Sequence, residues 1–182
     1  MRIYSLTTAP DRELAEDLRR GAIIVYPTDT IYGIGCSALA PRSIRRIRAL
    51  KGTNHPLSVI APSKEWIRRH LKVRYPAFLS RLPGPVTLIL EKKNPGFLKD
   101  AAPGNTLGVR MLPGHFHRLV RRAGIPVITT SVNRTGKRPI RRISQIPQSF
   151  LSHIDVVIDG GVLNNPPSRI FDLTGEQPKR IR

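Results

Sequence analysis

Apolar residues in this chain come in short blocks, each cut off by proline, glycine or a polar cluster. That punctuation limits the fold more than any other feature. Ala22-Ile-Ile-Val-Tyr26 runs into Pro27-Thr-Asp-Thr30, Val86 to Leu90 follows Pro83-Gly-Pro85, and Val127 to Thr130 empties into a polar loop. Blocks of this length suit buried strands, whereas a membrane helix needs ~18–20 apolar residues in a row. Further strands are expected over Ile31 to Gly35, Leu57 to Ile60, Leu107 to Met111, Asp155 to Asp159 and Ile170 to Leu173.

Between these blocks the apolar period lengthens to that of a helix. Leu14 and Leu18 share one face of a helix over Asp11 to Arg20, which Gly21 ends. Pro41 opens a second helix, in which Ile44, Ile47 and Leu50 face inward and Arg45, Arg46 and Arg48 face outward. Ser63 is placed to cap a helix carrying Trp66, and another helix runs from His115 to Ala123 before Gly124. Strands mixed with helices predict a layered α/β domain. The connection from Tyr26 to Ile31 is of hairpin length, so the sheet cannot be all parallel. No internal repeat or low-complexity linker divides the chain, and one domain over residues 1–182 is expected.

Charge narrows the range of partners. Lys and Arg number 31 against 12 Asp and Glu, a formal net charge of +19. Such a chain attracts polyanions, whether nucleic acid, ATP or an acidic partner, and charge alone does not choose among them. The single cysteine, Cys36, cannot form an internal disulfide, so a cytoplasmic location is expected. No signal-peptide pattern opens the chain, and no membrane association is expected.

Several motifs are decoys. Gly33-Ile-Gly35-Cys-Ser-Ala38 fits G-x-G-x-x-A, but no acidic residue follows between Cys36 and Lys64 to hold a ribose. Gly136-Lys-Arg138 lacks the remainder of a phosphate-binding loop. His115 and His117, two apart on a helix, point to different faces, so no metal site is assigned. Three polar clusters are more informative: Pro27 to Gly33, Ser131-Val132-Asn133, and Ser168 to Thr174. Taken singly, each reads as a turn. Together, at the ends of strands, they point to one binding site, with Lys51-Gly52 adding a cation.

Strings in these clusters carry a family resemblance. Gly21 to Gly35, containing Pro-Thr-Asp-Thr-Ile-Tyr-Gly, resembles the opening signature of the YrdC family of L-threonylcarbamoyladenylate synthases. Lys51-Gly52, His55-Pro56-Leu57, Leu82 to Leu88, Gly108-Val-Arg110, Thr130 to Gly136 and Ser168 to Thr174 follow in family order. The resemblance covers nearly the whole chain. It implies an open twisted mixed β-sheet with surrounding helices and a basic concave cavity. It implies the reaction of L-threonine, bicarbonate or CO₂, and ATP carrying Mg²⁺ to give threonylcarbamoyl-AMP and pyrophosphate, a nucleotidyl transfer. Partner proteins would then modify adenosine 37 of tRNA.

By the same resemblance, Thr30, Ser131 and Ser168 would bind threonine. Lys51, His55, Asn133, Arg141 and Arg182 would bind ATP, and Lys51 and Arg110 would position the reacting anions. No residue would act as a covalent catalyst. Two departures keep an alternative open. The family usually shows Lys-x-Arg where this chain has Lys51-Gly52-Thr53, and Arg169 stands where many members carry Thr. The second, C-terminal domain of longer relatives is also expected to be missing. The alternative is a YciO-like paralogue that binds double-stranded RNA or tRNA with weak or no synthase activity.

Overall fold

The structure, a computed structural model, describes residues 1–182. Its first half lays down β1 (Arg2–Ser5), α1 (Asp11–Arg19), β2 (Ile24–Tyr26), β3 (Gly33–Gly35), α2 (Pro41–Lys51), β4 (Ser58–Ile60), α3 (Lys64–His70), β5 (Leu71–Lys72) and β6 (Val86–Lys92). The second half adds β7 (Thr106–Arg110), α4 (His115–Ala123), β8 (Val127–Ser131), the single turn α5 (Gln148–Leu151), β9 (Val156–Asp159), β10 (Arg169–Asp172) and β11 (Lys179–Arg180).

The helix signals operate as local chemistry dictates. Pro41 sits in the first turn of α2, and Gly52 and Gly124 take left-handed conformations, φ 63° and 70°, that stop α2 and α4. The Ser63 side chain accepts the Trp66 N–H at 3.1 Å and starts α3. Four strands are shorter than their sequence blocks: β2 begins at Ile24, not Ala22, β3 at Gly33, not Ile31, β4 at Ser58, not Leu57, and β9 at Val156, not Asp155. The hydroxyl of Thr28 accepts the N–H groups of Thr30 and Ile31, which holds that stretch as a turn before β3 can pair.

Eleven strands form one mixed sheet in the order β1-β9-β2-β3-β8-β4-β7-β6-β10-β11, with β5 against β6. β2 and β3 form the expected antiparallel pair. β8 lies between β3 and β4, antiparallel to both, and so joins the two halves of the sheet. The inward face of α2 (Ile44, Ile47, Leu50) packs with Val59, Leu88, Leu90 and Val109 in the larger core. On the opposite face, Leu14, Ala15 and Leu18 of α1 and Phe116, Leu119 and Val120 of α4 cover Ile24, Ile60, Val127 and Val156. No helix is long and apolar enough to cross a membrane.

Gly33-Ile-Gly35 serves packing. A Cβ on Gly35 would lie 1.8 Å from the Ile128 carbonyl oxygen, so only glycine lets β3 and β8 approach this closely. Cys36 is fully buried, and burial pushes its thiol up to about 12, as suits a core residue.

Candidate functional site

The face that α1 and α4 cover is open farther along the sheet. There the inward positions turn polar: Ser58 on β4, Thr87 on β6, and Thr129 and Ser131 on β8 line a cavity of 310 Å³. Gly108 keeps its base low, since a Cβ there would meet the Ser58 hydroxyl at 2.4 Å. The cations on the wall are Arg110, Lys137 and Arg182, and no carboxylate or imidazole joins them.

Each edge of the cavity is built by one of the three polar clusters. The first comes from the turn before β3. Thr28 holds this turn and shares a hydrogen bond of 2.9 Å with the hydroxyl of Thr30, itself buried. Between them, the Asp29 carboxylate accepts from the Arg110 guanidinium at 2.8 Å, with side-chain exposures of 11% and 9%. Burial works against both charges: it raises the Asp29 carboxyl despite Arg110, and it lowers Arg110 despite Asp29. Asp29 Oδ2 and Arg110 Nε remain without partners. The pair therefore aims the guanidinium and leaves part of its donor capacity unused.

The second edge is the end of β8. The Ser131 hydroxyl donates to Asn133 Oδ1, and the Asn133 amide donates to the carbonyls of Arg134 and Lys137 at 2.9 and 2.6 Å. Lys51 reaches this loop from behind. Its ammonium donates to the Ser131 and Asn133 carbonyls at 2.8 and 2.9 Å and points toward Asn133 Oδ1 at 3.4 Å. Burial lowers Lys51 to about 8. All three ammonium protons face protein acceptors, so Lys51 braces the loop and is not part of the cavity wall.

The third edge carries Ser168 and Arg182. Ser168 is buried and shares a 3.1 Å hydrogen bond with Thr87. Arg182 Nε donates to the Ser168 carbonyl at 3.0 Å. Its backbone is tied to Ile170, whose N–H donates to the Arg182 carbonyl at 2.9 Å.

Thr30, Arg110, Ser131, Asn133, Ser168 and Arg182 thus converge on one cavity, with Lys51 directly behind it. Of the five expected ATP ligands, Asn133 and Arg182 are on the wall, Lys51 stands behind it, and two lie elsewhere. His55 is exposed in the loop after α2, where its carbonyl accepts from Arg48 at 2.8 Å. Arg141 is exposed, and its carbonyl accepts the Leu163 N–H at 2.8 Å.

A family model for Sua5, YciO and YrdC, described as telomere recombination, matches residues 16–182. The chain belongs to the Sua5/YciO/YrdC family. A threonylcarbamoyl-AMP synthase of Marinobacter nauticus is 32% identical over 169 residues, covering 86% of this chain and 88% of that protein. The threonylcarbamoyl-AMP synthase of Bos taurus is 32% identical over 164 residues, covering 86% of this chain but 58% of its own length. A crystal structure of Pyrococcus abyssi Sua5 complexed with L-threonine superposes with a TM-score of 0.86 at 27% identity, over 100% of this chain and 57% of that one. This chain therefore spans little more than half of its bovine and P. abyssi relatives.

Within this Sua5/YciO/YrdC chain, sequence reasoning missed Lys137 and the hydroxyls of Ser58, Thr87 and Thr129 on the cavity wall. The signal was present. Ser58 and Thr87 interrupt apolar strands at positions one residue from core valines and leucines, on the opposite side of the pleat.

Proposed function

We propose that this chain makes L-threonylcarbamoyl-AMP from L-threonine, bicarbonate or CO₂, and ATP. The observation that carries the reading is the cavity itself, lined with hydroxyls and cations and free of carboxylates, in a family that includes a Sua5 complexed with L-threonine. The threonine amine adds to CO₂ and loses a proton, giving a carbamate. A carbamate oxygen then attacks the α-phosphorus of ATP, and the bond from that phosphorus to the β-bridging oxygen breaks to release pyrophosphate.

Such a reaction needs positioning and charge compensation, not a protein nucleophile. Thr30, Ser131 and Ser168 bind threonine through their hydroxyls, and Arg110 holds its carboxylate or the carbamate. Asn133 and Arg182 bind the nucleotide. Lys51 holds Ser131 and Asn133 in register. Lys137 supplies a cation to the wall; Thr53, which stands where the family usually carries arginine, lies off that wall, beside Gly52 and Asn54. The wall has no acidic or imidazole side chain to hold a metal, so Mg²⁺ travels on the ATP phosphates and offsets their charge. The adenylate then serves partner proteins that modify adenosine 37 of tRNA in the cytoplasm.

Incubating the chain with labelled threonine, bicarbonate, ATP and Mg²⁺ tests the proposal. Threonine-dependent release of pyrophosphate, together with a labelled adenylate, is the expected result. Pyrophosphate release that ignores threonine, or no adenylate at high enzyme concentration, rejects it.

A further inference from the structure

The hydroxyls around the cavity are not interchangeable, because several of their protons are already committed. Thr28 donates to the Ile31 carbonyl at 2.7 Å, so in the bond it shares with Thr30 it accepts, and Thr30 gives up its proton. Ser131 gives its proton to Asn133 Oδ1. Thr30 and Ser131 therefore offer a ligand lone pairs, which suit an amine and not a carboxylate. Thr87 and Ser168 share one bond and can exchange roles in it. Thr129 differs from all of these. Its oxygen accepts from the Tyr26 hydroxyl at 2.9 Å, and its own proton has no acceptor in the protein. Thr129 is thereby fixed as a donor on the cavity wall.

The position of Tyr26 follows from its surroundings. It ends β2, and its side chain crosses β3 to reach β8. One face of the ring stacks on Phe116 of α4, with centroids 3.5 Å apart and planes within 6° of parallel. Beneath it, β3 carries no side chain to displace it. A Cβ on Gly33 would lie 2.8 Å from the ring, and one on Gly35 would lie 3.2 Å from the hydroxyl. Gly33-x-Gly35, which is no dinucleotide motif, thus lets an aromatic ring pass over β3 and deliver a hydroxyl to the next strand. The ring is fully buried, and burial raises its hydroxyl above the ordinary tyrosine value, so it keeps its proton and stays a donor. The Ile128 carbonyl, at 3.5 Å, is the poorer of its two acceptors. The charge of Arg110 is felt at this hydroxyl, so the guanidinium and the Thr129 donor stand in the same part of the cavity.

We propose that Thr129 donates a hydrogen bond to the carboxylate of the amino-acid substrate, beside Arg110, and that Tyr26 is a positioning residue that holds Thr129 in this role from the covered half of the sheet. A donor set in advance binds an anion at less cost than a hydroxyl that must first turn or break another bond. The proposal rests on the synthase reading for the identity of the substrate, but amino-acid binding can be measured without any adenylate forming.

The test titrates the full chain calorimetrically with L-threonine and with L-threoninol, which keeps the amine, hydroxyl and methyl groups but has no carboxylate. The variants are Thr129→Val, Thr129→Ser, Tyr26→Phe and the double variant Tyr26→Phe/Thr129→Val. Circular dichroism confirms folding, and the Thr129 variants test the contact on their own. Thr129→Val weakens L-threonine binding about tenfold, the worth of one hydrogen bond to a charged group, while Thr129→Ser stays within about twofold of the parent. Tyr26→Phe keeps the ring on Phe116 and weakens binding about threefold. The double variant is no weaker than Thr129→Val, because Tyr26 acts through Thr129. L-threoninol binds the parent and every variant within about twofold.

Unchanged threonine affinity in Thr129→Val overturns the proposal. Equal losses for L-threonine and L-threoninol overturn it too, since Thr129 then shapes the cavity without meeting the carboxylate. Losses that multiply in the double variant remove Tyr26 from the positioning role. If Thr129→Val loses threonine but the parent forms no adenylate, the proposal stands and the synthase reading falls. If adenylate forms and the variants bind threonine like the parent, the reverse holds.

Discussion

Two neighbouring cross-strand pairs of the sheet carry opposite chemistry. Ile60 on β4 faces Val127 on β8, and both are fully buried beneath α1 and α4. Two residues away on the same face, Ser58 pairs with Thr129, and both line the cavity. The strands, their pairing and their pleat are the same, and only the cover differs. Where helices pack, side chains are large and apolar. Where none does, they are small and polar. The stability of the covered half holds the open half in shape, because β4 and β8 are continuous through both. A site on rigid strands keeps its hydroxyls in place without substrate, and that preorganisation lowers the cost of binding.

The comparison can be broken at its most costly point, the ion pair in the open half. Arg110→Met leaves Asp29 buried without its partner and should destabilise the chain by about 3–5 kcal/mol in urea unfolding. Adding Asp29→Asn should restore most of that loss. If the single variant unfolds like the parent, the pair is solvated and does not aim the guanidinium.

A matched pair of truncations sharpens the contrast. Ile60→Ala should cost about 2–5 kcal/mol, because it opens a void in a packed core. Ser58→Ala, two residues away, should change stability by less than about 0.5 kcal/mol, since it only enlarges a space that is already open. Similar losses from both would show that the two halves are not distinct. Within the open half, Ser131→Ala should weaken threonine binding by roughly two- to tenfold in calorimetry, the worth of one neutral hydrogen bond, while its melting temperature barely moves. Unchanged affinity would remove Ser131 from the proposed threonine site.

A pH effect concerns Lys51, which braces the Ser131 loop from behind. Its folded value, about 8, lies below the ordinary 10.5 because burial disfavours the charge. Between those values the unfolded chain holds a proton that the folded chain has released, so this group makes stability rise with pH across that window. Lys51→Met should flatten the rise, read as a smaller increase in urea midpoint from pH 8 upward than in the parent. An identical slope in both proteins would mean that Lys51 is not buried against the loop as described.

Much of this could be read along the chain. The proline in the first turn of α2, the Ser63 cap and the glycines after α2 and α4 act on their own neighbours, so these helices sit close to where the sequence predicts. β1, β5 and β11 were not anticipated: β5 and β11 span only two residues each, and β1 forms by pairing with β9 near the other end of the chain. The polar clusters were visible as breaks in apolar blocks, and they converge because strand ends gather at one side of a sheet.

What the sequence determined by itself was local: where strands and helices begin and stop, and that hydroxyls, amides and cations collect at strand ends. Tertiary structure alone decided which of them meet. Inserting β8 between β3 and β4 brings Ser131 beside Gly33 and Thr129 beside Ser58. The packing of α2 turns Lys51 inward onto the Ser131 loop, while the turn after it leaves His55 in solvent. Those outcomes depend on partners dozens of residues apart, and the physical reason is register: a strand's period places a side chain on one face or the other, but only its neighbours decide whether that face is covered.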